Sequence, residues 1–219
     1  MSIDAALLIS RSGLLHTQRS LSNAADNVAN AQTEGYTRKR LSSVSVGADG
    51  QGMGVLTLGP LRDVDVALLK EIRLRKSDVA AAEVREDVLS RIDAAYGDPA
   101  KGEGLGDLVG RLRSSFIELR ADPSQVVKQQ AVVLNASQHL VSRFNDVSRI
   151  VGEARQSVHD SIVAEVREVN ATLREIAGLT NEIIKQTGAG TSTAGAEDRR
   201  DLALSRLSAS MGFTAVSQA

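Results

Sequence analysis

The hydrophobic pattern at the start of the chain is helical and narrow. Leu7, Leu14, Leu21 and Val28 recur every seven residues, flanked by Ile3, Ala24 and Ala31 and widened by Leu8 and Leu15. Seven residues are nearly two helical turns, so these side chains fall on one seam of the kind that pairs helices in coiled coils. Ser10, Arg11, Ser12, Gln18, Arg19 and Ser20 occupy the rest of the surface. A single helix cannot bury such a seam. The plain reading packs it on a long helix of an ordinary bundle, and the sharper one pairs it with a further helix and with neighbouring subunits. The pattern stops at Gln32-Thr33-Glu34-Gly35, where Gly35 suits a left-handed helix terminus.

From Tyr36 to Leu61 the texture is strand-like. Val44 and Val46 alternate with Ser43 and Ser45, a glycine-rich turn from Gly47 to Gly54 follows, and Val55, Leu56 and Leu58 lead to Pro60, which closes a β-hairpin. A second helix is expected from about Asp65 to Tyr96, with Leu68, Ile72, Val79, Ala82, Leu89 and Ile92 on its apolar side. The loop Gly97 to Gly106 ends it, and Leu105, Leu108, Val109, Leu112, Phe116 and Leu119 mark a third. Asp122-Pro123 then caps and opens a helix, with Gln125 where a capping box wants it. Its apolar seam, from Leu140 through Phe144, Val147, Val151, Ala154, Val158, Ile162, Val166, Val169, Leu173 and Ile176 to Ile183, predicts the longest element, roughly 90 Å of helix. Three successive spacings of four after Ala154 read as a stutter. A turn from Gly188 to Gly195, a short helix from Asp198 to Leu207 and a strand-like stretch from Met211 to Ala219 complete the pattern.

Composition agrees with a mainly α chain: a long, coiled-coil-like helical bundle with an N-terminal helix and a small β-hairpin. Hydrophobic residues make up 42% of the 219, yet aromatics only 2%. That points to packed aliphatic helices and away from an aromatic-lined pocket. With 26 basic and 27 acidic residues, the chain lacks the electrostatic footprint of a nucleic-acid binder. No apolar run reaches membrane-spanning length, so no membrane insertion is expected. The absence of cysteine excludes disulfides, thiolate metal sites and a thiol nucleophile.

No catalytic, cofactor or metal site emerges. Gly102-Glu103-Gly104-Leu105-Gly106 follows a helix where a dinucleotide loop follows a strand, and so reads as an interhelical loop. His16, His139 and His159 lie on separate helical stretches, and His16 falls off the leucine stripe, which makes it solvent-exposed by default. Glu86-Asp87 and Glu197-Asp198 sit among arginines on polar faces, where they read as solvated or ion-paired. Arg38-Lys39-Arg40 reads as the solvent face of a strand. No nucleophile-elbow context surrounds any serine.

One segment carries more. Ser-Asn-Ala-Ala-Asp-Asn-Val-Ala-Asn-Ala-Gln-Thr-Glu-Gly-Tyr-Thr-Arg, from Ser22 to Arg38, resembles the N-terminal signature of bacterial flagellar axial proteins, NNIANxxTPGYxR. Asn27, Val28, Ala29, Asn30, Thr33, Gly35, Tyr36 and Arg38 fall on the motif, while Asp26 and Glu34 replace its first Asn and its Pro. Within that family several features are similar to the hook-associated junction branch, in the same order. They are Thr37-Arg38, Gly52-Met53-Gly54-Val55, Arg62-Asp63-Val64-Asp65, Phe116 with Asp122-Pro123, Leu179-Thr180-Asn181-Glu182-Ile183 and Arg200-Asp201-Leu202.

The resemblance implies a structural, non-enzymatic subunit that joins flagellar hook to filament as a helical ring of copies. Leu7, Leu14, Leu21 and Val28 would form the subunit interface. Residues 1–35 would be an inner-core helix, and 36–219 a helical rod domain with its hairpin at about 36–61. The β-rich outer domains and the C-terminal helix that pairs with the N-terminal one would lie beyond Ala219, making this an N-terminal portion. Implied partners are further copies of the chain, the hook protein, a second junction protein and a flagellar export chaperone. The implied location is extracellular, at the hook–filament junction, reached by type III export; Met1-Ser2-Ile3-Asp4 does not open a cleavable leader. A flagellar rod or hook subunit is the nearer alternative, and a soluble helical coiled-coil binding module the alternative from another class. Any hydrolytic domain would have to lie past the last residue.

Overall fold

A computed structural model describes residues 3–48, 51–121, 125–213 and 215. Among them, α1 (Ile3–Ala29) leads through a short turn to the antiparallel pair β1 (Lys39–Ala48) and β2 (Gln51–Arg62). The helices α2 (Val66–Tyr96), α3 (Leu105–Ala121), α4 (Val126–Gly188) and α5 (Ala194–Ser210) follow, with a 3-10 turn at Pro99–Lys101. The mainly α architecture with one small hairpin is therefore as the periodicity predicts, and α4, at 63 residues, is the longest element. No described helix is long and apolar enough to cross a membrane.

The chain forms two compact units, one from residues 1–78 with 167–219, the other from 79–166. In the first, α5 supplies the core. Ala194, Ala196, Ala203 and Leu207 are buried together with Leu179 and Thr172 of α4. Small residues let helices approach closely, and the contact is flanked by Arg199–Glu182 (2.6 Å) and Arg206–Glu175 (2.7 Å). From α2, Lys76 Nζ donates to Ser205 Oγ of α5 at 3.2 Å. In the second unit Ala95, Val147 and Ala154 are buried, with Ser115 turned back onto Leu112 O of its own helix at 2.8 Å.

Several expectations are corrected. The glycines from 47 to 54 are not one long turn: Gly47 pairs with Gly52 and Val46 with Gly54, inside the strands, and Pro60 pairs with Leu41 inside β2. Irregular register at Leu41/Ser43 and Val46/Gly47 absorbs these residues. Gly54, at φ +114°, passes so close to α1 that a Cβ there would lie 2.3 Å from Ser12 Oγ. On α2 most of the apolar side read from spacing is open, since Leu68, Ile72, Val79 and Leu89 are exposed, while Ile92 on the same side is half-buried. Apolar residues occur around much of that helix, and along residues 66–78 its contacts to α5 through Arg73 and Lys76 are polar. On α4, Val147 and Ala154 are buried as expected, but Phe144, Ile162, Val166 and Leu173 are exposed, and Thr172 and Leu179 take the buried places nearer its end.

The last helix begins at Ala194 and runs to Ser210, longer than predicted at both ends. Met211 has extended dihedrals, yet its N–H closes α5 on Leu207 O and 211–213 pair with no strand. The expected Asp122-Pro123 cap lies outside the described residues.

Candidate assembly surface

Two faces of α1 differ in chemistry and in cover. At about 100° per residue, Ala5, Ile9, Ser12, Gly13, His16, Ser20, Asn23, Asn27 and Asn30 fall along one side, and these are the half-buried positions of the helix. That side lies on the hairpin through polar contacts. Val55 N–H donates to Ser12 Oγ at 3.1 Å, and His16 Nδ1 meets Thr57 Oγ1 at 3.1 Å. His16 is thus held against β2 and is not free in solvent, a correction that the narrow leucine stripe could not foretell. His139 and His159 are exposed, and no group of metal-ligating side chains forms among the described residues.

The opposite side is the leucine seam. Leu7, Leu14, Leu21 and Val28 are 63%, 71%, 71% and 77% exposed. The drift of about 20° per heptad keeps them on one face over the length of α1. No residue of α1 is fully buried. Packing of the seam inside an ordinary bundle is not what the described residues show, because the seam stays open.

The hairpin repeats this inversion. Val55 and Thr57 are half-buried where they meet α1, while the Val44–Leu56 pair, with Val46 and Leu58, makes an exposed apolar face. The α1–hairpin contact is thus largely polar, with Ile9 and Val55 half-buried in it, while most of the large apolar side chains of α1 and the hairpin stay open.

The motif residues cluster at the exit of α1. Its last turn is followed by successive turns in which Thr33 N–H bonds Asn30 O (2.9 Å) and Tyr36 N–H bonds Thr33 O (3.1 Å). Gly35 has φ +78°, as its position predicts, and a Cβ there would press on Leu202 of α5 at 3.0 Å. Asn30 Nδ2 donates back to Asp26 O (2.9 Å), and Thr33 Oγ1 to Asn30 Oδ1 (3.2 Å). Asn27 grips the main chain of Lys39: its Nδ2 donates to Lys39 O and its Oδ1 accepts from Lys39 N–H, each at 2.9 Å. The same Oδ1 accepts from the Tyr36 hydroxyl at 3.0 Å, and Asn23 Nδ2 adds a second bond to Lys39 O at 2.8 Å. Ala29 and the Arg38 side chain are exposed, while Arg38 O accepts from Asp63 N–H at 2.9 Å. Asp65 then starts α2, its Oδ1 accepting from Leu68 N–H at 3.0 Å.

The base of the hairpin holds a charge cluster. Arg62, whose side chain is only 7% exposed, reaches three carboxylates of α5: Glu197 at 3.3 Å, Asp198 at 2.8 Å, and Asp201. Asp201 also binds Arg73 of α2, at 2.8 Å. Burial opposes the Arg62 charge, but hydrogen bonding and charge from Asp201, with Asp198 and Glu197, outweigh it, and its pKa stands above the usual arginine value. Lys39 Nζ lies 2.6 Å from Asp198 and 3.5 Å from the centroid of the Tyr36 ring, a cation–π contact. Lys39 is therefore half-buried and paired, not on a solvent face, whereas Arg40 is open. Glu197-Asp198 is ion-paired as one reading had it, with Asp198 buried and not solvated. The participation of Thr37, Lys39, Arg62 and Asp201 in one cluster was invisible to spacing, since it joins positions more than 120 residues apart.

Residues 89–219 match the family model of the flagellar hook-associated protein FlgK helical domain. Over 210 residues the chain is 28% identical to flagellar hook-associated protein 1 of Bacillus subtilis (strain 168), covering 90% of this chain and 41% of that protein. The proteins of the same name from Salmonella typhimurium and Escherichia coli (strain K12) are 27% and 26% identical over 210 residues. Each alignment covers 92% of this chain, and 37% and 38% of those relatives. The chain thus spans about two-fifths of the length of the curated relatives it matches. No solved structure matches it significantly. The family match extends over more than half of the chain, and the chain belongs to the flagellar hook-associated protein FlgK family.

Proposed function

We propose that this chain is a structural, non-enzymatic subunit of the bacterial flagellum, joining hook to filament as a member of a ring of copies. The observation that carries the reading is the open leucine seam of α1, turned away from the hairpin that covers the helix's other side. A seam of Leu7, Leu14, Leu21 and Val28 at heptad spacing fits a helical partner better than a small molecule or nucleic acid. Family membership gives that partner its setting, since the matched relatives are named for the hook. In this reading residues 1–35 form the inner-core helix, and the hairpin and helices of 36–219 form the next layer. The ring contacts the hook protein on one side and the next junction protein on the other. Export by the flagellar type III route, with its chaperone, belongs to the same proposal.

Gold labelling of an epitope-tagged copy on isolated flagella, viewed by electron microscopy, tests it. A tight band at the distal end of the hook is the expected result. Label along hook or rod would replace the junction role with another axial one, and absence of label from flagella would overturn the flagellar reading in favour of a soluble binding module.

A further inference from the structure

We propose that Asp198 is a positioning residue for α1: docking of the first helix on the hairpin depends on the last helix, through the chain of contacts Asp198–Lys39–Asn27. This goes beyond the assembly reading, and its test needs no flagellum, so the two can fail separately.

The need for such a device follows from how little else holds α1. None of its side chains is fully buried, and its hairpin side carries small and polar residues with Ile9 as the one large aliphatic side chain. Hydrophobic burial therefore contributes little, and hydrogen bonds to the hairpin must set the helix in place. Most of these converge on Lys39. Its N–H and C=O are both held by Asn27, and its C=O also by Asn23.

What presents Lys39 to α1 is Asp198. Its Oδ2 accepts from Lys39 Nζ at 2.6 Å and from Thr37 N–H at 3.4 Å, and its Oδ1 from Thr37 Oγ1 and from Arg62 Nε at 2.8 Å. An ionised carboxylate offers about four acceptor sites, and here donors meet all of them. One α5 side chain thus pins two residues of the segment that α1 grips, while the Lys39 ammonium also sits on Tyr36, whose hydroxyl returns to Asn27. Glu197 and Asp201, from the same helix, bind Arg62 and Arg73 and not this segment. Asp198→Asn keeps the shape but turns an NH2 donor toward donors, so it breaks the arrangement without opening a cavity.

Hydrogen exchange on the 219-residue chain reads the outcome. Val55 N–H, bonded to Ser12 Oγ, reports α1 docking away from the substituted residue. In Asp198→Asn its exchange is expected to accelerate about tenfold or more, as loss of a charge-assisted bond predicts, with protection across α5 retained. Asp201→Asn should leave Val55 at the parent rate. In an Asn27→Ala background, Asp198→Asn should add nothing further. Should Asp198→Asn loosen α5 itself, Lys39→Met removes the same ion pair from the other side and must reproduce the acceleration. An unchanged Val55 rate, equal acceleration by Asp201→Asn, additive effects in the double variant, or no effect of Lys39→Met would each overturn the proposal.

Discussion

Bacteria carrying Leu14→Asp or Leu21→Asp are expected to make a folded, stable chain and bare hooks. Both leucines are 71% exposed, so no packing is lost in the free chain. Exchanging Leu for Asp within an exposed helix costs roughly 0.5 kcal/mol in helix propensity. Neither residue touches the hairpin, which α1 meets through Ser12, His16, Asn23 and Asn27. In an assembly the same position becomes the centre of a helix seam, where an unpaired carboxylate must be desolvated among apolar neighbours at a cost of several kcal/mol. The penalty recurs at every equivalent contact of a ring. Circular dichroism on the purified variant and counting of filaments by electron microscopy separate the two effects. Normal filaments on either variant would mean the seam is not an assembly surface.

The largest effect on the fold is expected from Arg62→Met. The guanidinium is almost completely buried among Glu197, Asp198 and Asp201, and methionine matches the stem but not the charge. Removing one partner of a buried ionic cluster leaves charges that burial penalises, at about 3–5 kcal/mol for a fully enclosed pair. Lys39 still faces Asp198 and Arg73 still faces Asp201, which places the expected loss near the low end, about 3 kcal/mol. Urea unfolding would read it as a fall in midpoint, and the loss should appear first in α5 and the hairpin base. A midpoint within error of the parent would show that the cluster does not hold α5.

What the sequence made legible divides along the range of the interaction. Heptad spacing located α1 and its seam, and Gly35 announced the left-handed exit, because both are consequences of local helix geometry. The length of α4 followed from a seam whose one gap falls at Thr180. Facing was harder. On α2 the open side carries Leu68, Ile72, Val79 and Leu89, and a rule that turns apolar residues inward chose it as the packed side. Along residues 66–78 inward packing is partly polar, through Arg73 to Asp201 and Lys76 to Ser205, and it leaves Leu68 and Ile72 open. His16 was misread for the same reason, since α1 meets the hairpin with its polar side. The charge cluster was out of reach altogether. Lys39 and Arg62 look like ordinary strand cations, and only the approach of α5 gives them partners 135 to 159 residues away. The asparagines of the signature were recognisable as a motif, but their grip on the Lys39 main chain required the structure.

The central claim, that the leucine seam of α1 becomes buried on assembly, can be tested directly because the chain contains no cysteine. A single Leu14→Cys substitution introduces the one thiol among these 219 residues, at a position that is open in the isolated chain. Maleimide labelling is then compared between the purified chain and intact isolated flagella. The account predicts rapid labelling of the former and strong protection of the latter, lifted when the flagella are dissociated. Equal labelling before and after dissociation would contradict it.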